Sequence, residues 1–445
     1  MRQLRSVQEL CGPRPAVRGG GARTGGGRAS VNLELPNPKY GLDGLFCGAV
    51  AALLAWGLVM VASASVAVGE KLGGSSMYFF WRQLVFIGVG LVACWGMFCV
   101  PTGFWEKQRW WLLLGAMLLL LTVLLAGVRV NGAKRWLDIA GFFRLQASEP
   151  VRLAFIVWLA GYIVKRQLEL QTSLAGFLNP LVFLFPILVL FLLEPDLGAT
   201  VILLAVTFLM LFLGGARLLY VAGLGLLAGG VLSVLVMTVA YRMKRVLSFT
   251  NPWEDALGSG FQLTQSLIAV GRGEWTGVGL GNSVQKLMYL PEMHTDFIFA
   301  ILAEEFGLLG VLSLIALFGV VVWRGFKIGQ QAEQLDRRFA AYLCYGLAGW
   351  LGLQALINMA VNMGALPTKG LTLPLISYGG SSLVTVSLML GLMLRVDYEN
   401  RAALAMLPKP RGRTLSGKAV QTAPLGLRDW LAGLRRSLGA GRAGA

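Results

Sequence analysis

Three acidic residues fall at the entrance to an apolar stretch: Glu149 after Gln-Ala-Ser, Asp196 after Glu-Pro, and Asp296 after His-Thr. Asp296 stands where Leu290-Pro-Glu-Met-His-Thr gives way to Phe297-Ile-Phe-Ala-Ile-Leu-Ala, so its carboxylate lies where polar loop becomes apolar helix. A carboxylate at that boundary can meet a substrate that is half lipid and half polar, and when ionised it can act as a general base. Asp296 is the leading catalytic candidate. His294, the only histidine, is two residues away. It could bind substrate or orient the carboxylate, although a lone histidine is more often a hydrogen-bonded structural residue. Glu304 lies roughly 12 Å deeper along the helix at 1.5 Å per residue, so Asp296 would act without a second carboxylate.

Each acidic placement also has a plainer explanation. A carboxylate at a helix N-terminus caps free N–H groups and interacts favourably with the helix dipole. What singles out Glu149 and Asp296 is the basic sequence beside them. The segment around Glu149 carries Arg129, Lys134, Arg135 and Arg144, and the segment before Asp296 carries Arg242, Lys244, Arg245, Arg272 and Lys286. Glu149 and Arg152 are three residues apart, on one helix face, where an ion pair is possible; inside a bundle such groups usually face a cavity or another polar group.

Positioning these residues falls to a membrane bundle. Apolar residues make up 56% of the 445 positions, charged residues only 14%, and mean hydropathy is +0.67, a balance outside the range of soluble domains. A spanning helix needs roughly 20 apolar residues. Ten stretches qualify: about 43–67, 78–99, 110–127, 149–165, 178–193, 197–214, 218–240, 297–323, 339–363 and 372–395. The expected fold is an all-α polytopic membrane protein of about ten transmembrane helices.

The net charge of +17 is concentrated outside the spans, which argues against a nucleic-acid-binding face. Residues 1–40 hold seven Lys/Arg and the stretch after Glu399 holds nine. By the positive-inside rule both termini are cytoplasmic, which requires an even number of spans. Residues 1–41 then form a disordered, Gly-rich basic tail, 42–398 the transmembrane domain, and 399–445 a second basic tail. This threading puts 128–148 and a large loop between helices 7 and 8, residues 241–296, on the extracytoplasmic side. Both carry positive charge against the rule, which suggests anion binding; lipid headgroups are the alternative. Within 241–296, Asn251-Pro-Trp-Glu reads as a turn and Phe261–Val270 as an amphipathic helix on the membrane surface. The glycines from Gly271 to Gly281 suit irregular backbone lining a wet cavity.

Other chemistries find little support. Cys11, Cys47, Cys94, Cys99 and Cys344 match neither a zinc site nor a disulfide framework. Gly223-Leu-Gly-Leu-Leu-Ala228 fits a dinucleotide fingerprint by letter but lies inside a span with no strand before it. There is no P-loop and no second histidine for a Ser-His-Asp arrangement.

The strings Asn131-Gly-Ala-Lys-Arg-Trp136, Gln146-Ala-Ser-Glu149, Glu194-Pro-Asp-Leu-Gly198, Asn251-Pro-Trp253, Gly260-Phe-Gln-Leu-Thr-Gln-Ser266, Leu290 to Glu305, and Leu366-Pro-Thr-Lys-Gly to Ser382 resemble, in order, those of the SEDS family of bacterial shape, elongation, division and sporulation proteins. Pro367-Thr-Lys-Gly370 and Gly277 to Lys286 are closer to the division branch than to the elongation branch. The resemblance implies a ten-helix glycosyltransferase of the bacterial inner membrane, placed at the division septum, that polymerises lipid II into glycan strands and releases undecaprenyl pyrophosphate. Its implied partners are lipid II, undecaprenyl-linked glycan, a class B penicillin-binding transpeptidase and other division-complex membrane proteins.

Carried over by motif, Asp296 is the catalytic residue and Glu149 a cavity residue. Arg152 stands where the family usually has lysine; its planar guanidinium cannot supply a neutral amine. A leaving pyrophosphate needs positive charge more than a general acid, and Lys134, Arg135, Arg152, Arg272, Lys286 and Lys369 form the pool from which those contacts are drawn. Ser377, in the Gly-rich run to Ser382, could line the same cavity, or its neighbours Gly379 and Gly380 could serve only close helix packing. No cofactor is expected, and a divalent cation assisting the pyrophosphate remains an open alternative. A lipid II flippase and a scaffold recruiting the transpeptidase are the competing readings; a transporter would cluster its polar residues at mid-span.

Overall fold

The structure is a computed structural model that describes residues 40–130, 133–139, 143–238, 243 and 248–406. Most of both tails, together with Arg242, Lys244 and Arg245, lies outside the described residues. Thirteen helices run through the described segments: α1 (Gly44–Ala64), α2 (Val66–Gly73), α3 (Tyr78–Cys99), α4 (Thr102–Ala126), α5 (Ser148–Lys165), α6 (Gln167–Thr172), α7 (Leu174–Leu193), α8 (Leu197–Leu213), α9 (Leu218–Met237), α10 (Phe261–Arg272), α11 (Ile298–Gln334), α12 (Arg338–Asn362) and α13 (Gly380–Met406). Seven of them, α1, α3, α4, α7, α11, α12 and α13, are long and apolar enough to cross a membrane. The chain is therefore a mostly helical membrane protein. The other three stretches chosen by hydropathy also lie on helices, α5, α8 and α9.

Helix ends depart from the hydropathy boundaries for physical reasons. α4 begins at Thr102 and α11 continues to Gln334, because backbone hydrogen bonding persists after the side chains turn polar. Residues 372–379, expected at the start of the last span, are not helical. Pro374 lacks a donor, and Leu375 has a left-handed φ of 66°. α13 starts only at Gly380 and carries Arg395, Asp397, Glu399 and Arg401 beyond the apolar stretch.

The expectation of an all-α chain needs one correction. Residues around Arg135 form a three-stranded antiparallel sheet, β1 (Val128–Val130), β2 (Ala133–Ile139) and β3 (Phe143–Gln146), in the order β1-β2-β3. Averaged hydropathy misses strands this short, although Asn131-Gly132 is a sequence pattern that favours two-residue hairpins.

α5, α12 and α13 are largely buried, whereas α3, α4 and α7 present many large apolar side chains outward, as lipid-facing helices do. At one end of the bundle, ionic contacts tie helices together. Arg324 of α11 donates to Asp43, whose carboxylate caps α1 through the Phe46 N–H at 3.0 Å. Asp397 of α13 accepts from the Asp43 N–H at 3.0 Å and from Arg401 at 2.9 Å. Arg337 and Arg395 both reach Glu399, which also accepts from Thr102 at the start of α4. The starts of α5, α8, α11 and α13 and the end of α12 meet at the other end, where the candidate residues lie.

α11 is broken at Gly307, whose φ of 62° and ψ of −161° belong to backbone that only glycine adopts readily. The preceding loop is stitched into this break. The Leu308 and Leu309 N–H groups donate to the Glu274 and Trp275 carbonyls at 2.9 and 3.1 Å. In return, Val278 and Gly279 donate to the Glu304 and Glu305 carbonyls at 3.0 and 3.1 Å. A Cβ at Gly307 would run into the Gly277 backbone. Gly307→Ala is expected to destabilise the fold by at least about 1–3 kcal/mol, seen as a lower thermal unfolding midpoint of the detergent-solubilised protein.

Candidate active site

Asp296 is half-buried just ahead of α11. Its carboxylate lies against the connection between α12 and α13: a Cβ on Gly370 would stand 3.1 Å from Asp296 Oδ2. That close approach brings Asp296 and the Thr368-Lys369-Gly370 segment together.

The backbone around Asp296 is held from α12. Asn358 Nδ2 donates to the Asp296 carbonyl at 2.9 Å and to the Leu371 carbonyl at 2.5 Å. Asn362 Nδ2 donates to the same Asp296 carbonyl at 3.1 Å. One turn earlier on α12, Gln354 Nε2 donates to the Thr372 carbonyl at 3.0 Å while its Oε1 accepts from Trp350 Nε1 at 2.8 Å. Trp350, Gln354, Asn358 and Asn362 recur every fourth residue and so share one helix face.

The same face reaches the second candidate carboxylate through Arg152. The Arg152 guanidinium lies over the Trp350 ring at 4.6 Å, and its Nη1 donates to Gln354 Oε1 at 3.2 Å. The ion pair that the spacing allows between Glu149 and Arg152 is not formed among the described residues. Glu149 instead accepts from Ser381 Oγ at 3.0 Å, and Ser381 Oγ itself accepts from the Gln146 N–H at 3.1 Å. Asp196 follows the plainer reading. It caps α8 through the Ala199 N–H at 3.1 Å and accepts from Ser148 Oγ at 3.0 Å and Gln146 Nε2 at 3.2 Å.

Most of the expected cation pool already has protein acceptors. Lys134 Nζ donates to the Leu124 and Leu125 carbonyls at 2.8 and 2.7 Å, closing the C-terminus of α4. Arg135 donates to the Glu194 and Pro195 carbonyls at the break between α7 and α8. Arg272 pairs with Glu304 at 2.9 Å, and Lys286 with Glu305 at 3.1 Å and Ser63 at 3.1 Å. The structure thus places Arg272 and Lys286 where the loop is fastened to α11. Lys369 is the basic residue adjacent in sequence to Gly370 and half-buried beside Asp296's contact.

His294 packs between Phe79 and Tyr378, with ring centroids at 4.7 and 5.7 Å. Burial holds its pKa below the usual imidazole value, against the pull of Glu292. The ring is therefore neutral at physiological pH, and its backbone carbonyl accepts from the Tyr378 N–H at 2.9 Å. Ser377 Oγ accepts from the Leu373 N–H at 2.8 Å, so this hydroxyl shapes the turn before α13. Gln354, Asn358 and Asn362 were missed by reading charged residues alone, whereas Ser381 lies in the 377–382 run that the sequence offered as cavity lining. The available signal was the four-residue recurrence of polar side chains in an apolar span.

Among the described residues no group of three or more His, Cys, Asp or Glu side chains is placed to hold a metal ion. A cleft of about 360 Å³ lined by Leu213, Trp323, Phe326, Lys327, Gln330, Glu333 and Tyr345 contains none of the candidate residues.

Glu194 is buried with neither carboxylate oxygen hydrogen-bonded. Its pKa is pushed up to about 8 by burial first and by Asp196 second, with Arg135 pulling it down. Folding favours the protonated form, so its contribution to stability is full below the ordinary carboxylate value, declines as pH rises, and is lost above about 8. Glu194→Gln is expected to remove that decline. Thermal unfolding measured from pH 5 to 9 should show the variant gaining on the wild type as pH rises.

The chain matches the cell cycle protein family of FtsW, RodA and SpoVE over residues 44–402. A probable peptidoglycan glycosyltransferase FtsW from Thioalkalivibrio sp. is 50% identical over 394 residues, covering 86% of this chain and 97% of that protein. Its counterpart in Nitrosococcus halophilus is 51% identical over 376 residues, covering 84% and 96%. One solved chain, from work on structural coordination of polymerization and crosslinking by a peptidoglycan synthase complex, superposes with a TM-score of 0.67. It is 30% identical, and the superposition covers 81% of this chain and 98% of that one. The rod shape determining protein RodA of Thermus thermophilus gives 0.61 at 28% identity, with the same coverage. The motifs strung from Asn131 to Ser382, the helical bundle and these matches agree: the chain belongs to the FtsW, RodA and SpoVE family, the SEDS proteins, and is more similar to its FtsW members than to RodA.

Proposed function

We propose that this protein is a peptidoglycan glycosyltransferase that polymerises lipid II during cell division. The observation that carries the reading is the Asp296 carboxylate set against the Lys369-Gly370 segment at a helix entrance, in a chain half identical to proteins named for that activity. In the reaction a sugar hydroxyl attacks the anomeric carbon of a second, pyrophosphate-linked sugar. A C–O glycosidic bond forms as the bond to the pyrophosphate oxygen breaks, and undecaprenyl pyrophosphate leaves with the electron pair. Asp296, ionised, takes the hydroxyl proton.

The developing pyrophosphate charge needs fixed cations. Lys134, Arg135, Arg272 and Lys286 already hold protein acceptors. Lys369 leads the pool because it lies in the segment set against the Asp296 carboxylate, with Arg152 behind it. Glu149, Ser377 and His294 shape the surrounding wall. A divalent cation, if bound with the substrate, would supply further positive charge to the leaving pyrophosphate.

The wider arrangement follows from charge. Ten spans with both basic tails in the cytoplasm put the sheet, the 241–296 loop and Asp296 on the outer face. A class B transpeptidase is the partner that would cross-link the strands, and the septum is the site of action. The flippase reading is disfavoured because the polar residues gather at helix entrances rather than at the midplane.

Purified protein with its transpeptidase partner is expected to make glycan polymer from lipid II in detergent, where transport has no meaning. Asp296→Asn should abolish that polymer; normal polymerisation by this variant would remove Asp296 as the base. Running the assay with a chelator and with added divalent cation decides whether a metal assists.

A further inference from the structure

Asn358 and Asn362 are 1% and 0% exposed on a largely apolar helix, on the same buried face as Gln354. An unsatisfied amide at such depth costs about 1–3 kcal/mol, so some partner is required. The partners are specific. Both side chains converge on the Asp296 carbonyl, and Asn358 divides its single NH2 group between that carbonyl and the Leu371 carbonyl. An amide nitrogen carries two N–H bonds at a fixed angle, so two acceptors bound to it are held at a set separation. Those acceptors belong to the residue bearing the proposed base and to the residue two positions after Lys369.

Asn362 has a complementary task. α11 begins after Phe297, which offers no capping side chain. The Ala300 N–H, which donates to the Phe297 carbonyl at 3.0 Å, is shared with Asn362 Oδ1 at 3.3 Å, a contact to the first turn from a neighbouring helix. Asn362 Nδ2 also donates to the Asn358 carbonyl at 2.9 Å, and its own carbonyl accepts from Ser266 Oγ of α10 at 2.7 Å. Ser266, Asn362 and Ala300 thereby lock α10, α12 and α11 together around the carbonyl that Asn358 grips.

We propose that Asn358 is a positioning residue for glycan transfer: its amide sets the spacing between Asp296 and the Lys369–Leu371 segment, with Asn362 as the brace that fixes the first turn of α11. The proposal rests on Asp296 acting as the base. Asn358 touches neither substrate nor reacting atoms in this scheme. It acts through two backbone carbonyls, and a displacement of about 1 Å at a reacting group is enough to cost a large factor in rate.

The test uses the full-length protein with its transpeptidase partner, lipid II in detergent, and the variants Asn358→Ala, Asn358→Gln, Asn362→Ala and Asp296→Asn. Turnover, KM, the pH dependence of turnover and thermal unfolding are measured for each. Asn358→Ala is expected to lower kcat about 10- to 100-fold, with little change in KM and with the acidic limb of the pH profile displaced. Asn358→Gln keeps the amide donors but moves them by one methylene; it should still fold, with some loss of unfolding midpoint from the added methylene, and lose turnover per folded molecule. Asn362→Ala should lose more stability and less turnover than Asn358→Ala. A folded Asn358→Gln protein with wild-type kcat and pH profile would overturn the proposal. So would Asn358→Ala whose loss is confined to the folded fraction, with kcat per folded molecule and pH profile unchanged. If Asp296→Asn itself polymerises normally, the base assignment fails; if it is inactive while both Asn358 variants turn over normally, only the positioning role fails.

Discussion

Polar groups inside an apolar bundle find partners inside the protein, and around Asp296 and Arg152 one face of α12 supplies them. Water is absent from the hydrocarbon region, so each buried amide or guanidinium without a partner would cost several kcal/mol. Trp350, Gln354, Asn358 and Asn362 meet this demand together. Their bonds reach Arg152 of α5, the Thr372 and Leu371 carbonyls before α13, and Asp296 and Ala300 at the head of α11. A single helix face thus joins the two carboxylate-bearing helix entrances that sequence spacing leaves 147 residues apart, from Glu149 to Asp296.

This constraint separates cations that build the site from cations that could serve it. Arg135 and Lys134 hold backbone carbonyls where α7 and α4 end. Lys286 and Arg272 are bound by Glu305 and Glu304, on the turn of α11 just before the Gly307 break. A charge held by a buried carboxylate loses much of its capacity to bind another anion, because leaving the first partner strands that carboxylate in a low-dielectric interior. The break itself is tolerated because the 274–279 backbone replaces the hydrogen bonds that α11 gives up. The described basic residues Lys134, Arg135, Arg272 and Lys286 therefore fasten their segments to the bundle.

Much of this was legible in the sequence. Each of the ten apolar stretches overlaps a helix, although the last begins eight residues late at Gly380, and the turn after Asn251 and the helix from Phe261 stand where residue type and periodicity put them. Asp296 could be singled out because a carboxylate at the entrance to an apolar helix lies beside a segment rich in basic residues. The sheet was not legible: strands of three, seven and four residues carry too little alternation to rise above a hydropathy window. The partner of Arg152 was not legible either. Spacing along a helix permits a pair with Glu149, but it cannot rank that pair against Gln354 and Trp350, which come from 200 residues away.

The sequence by itself determined the membrane class, the family, the helical stretches and the identity of the residues able to do chemistry, because those follow from residue type, local periodicity and charge along the chain. Only the tertiary structure decided which of those residues meet. Competition among acceptors is settled in three dimensions. The burial that makes a bond to Asp296 from Asn358 worthwhile, and that removes Lys286 from the pool of ready cations, exists only once α11, α12 and their connecting loops have packed together.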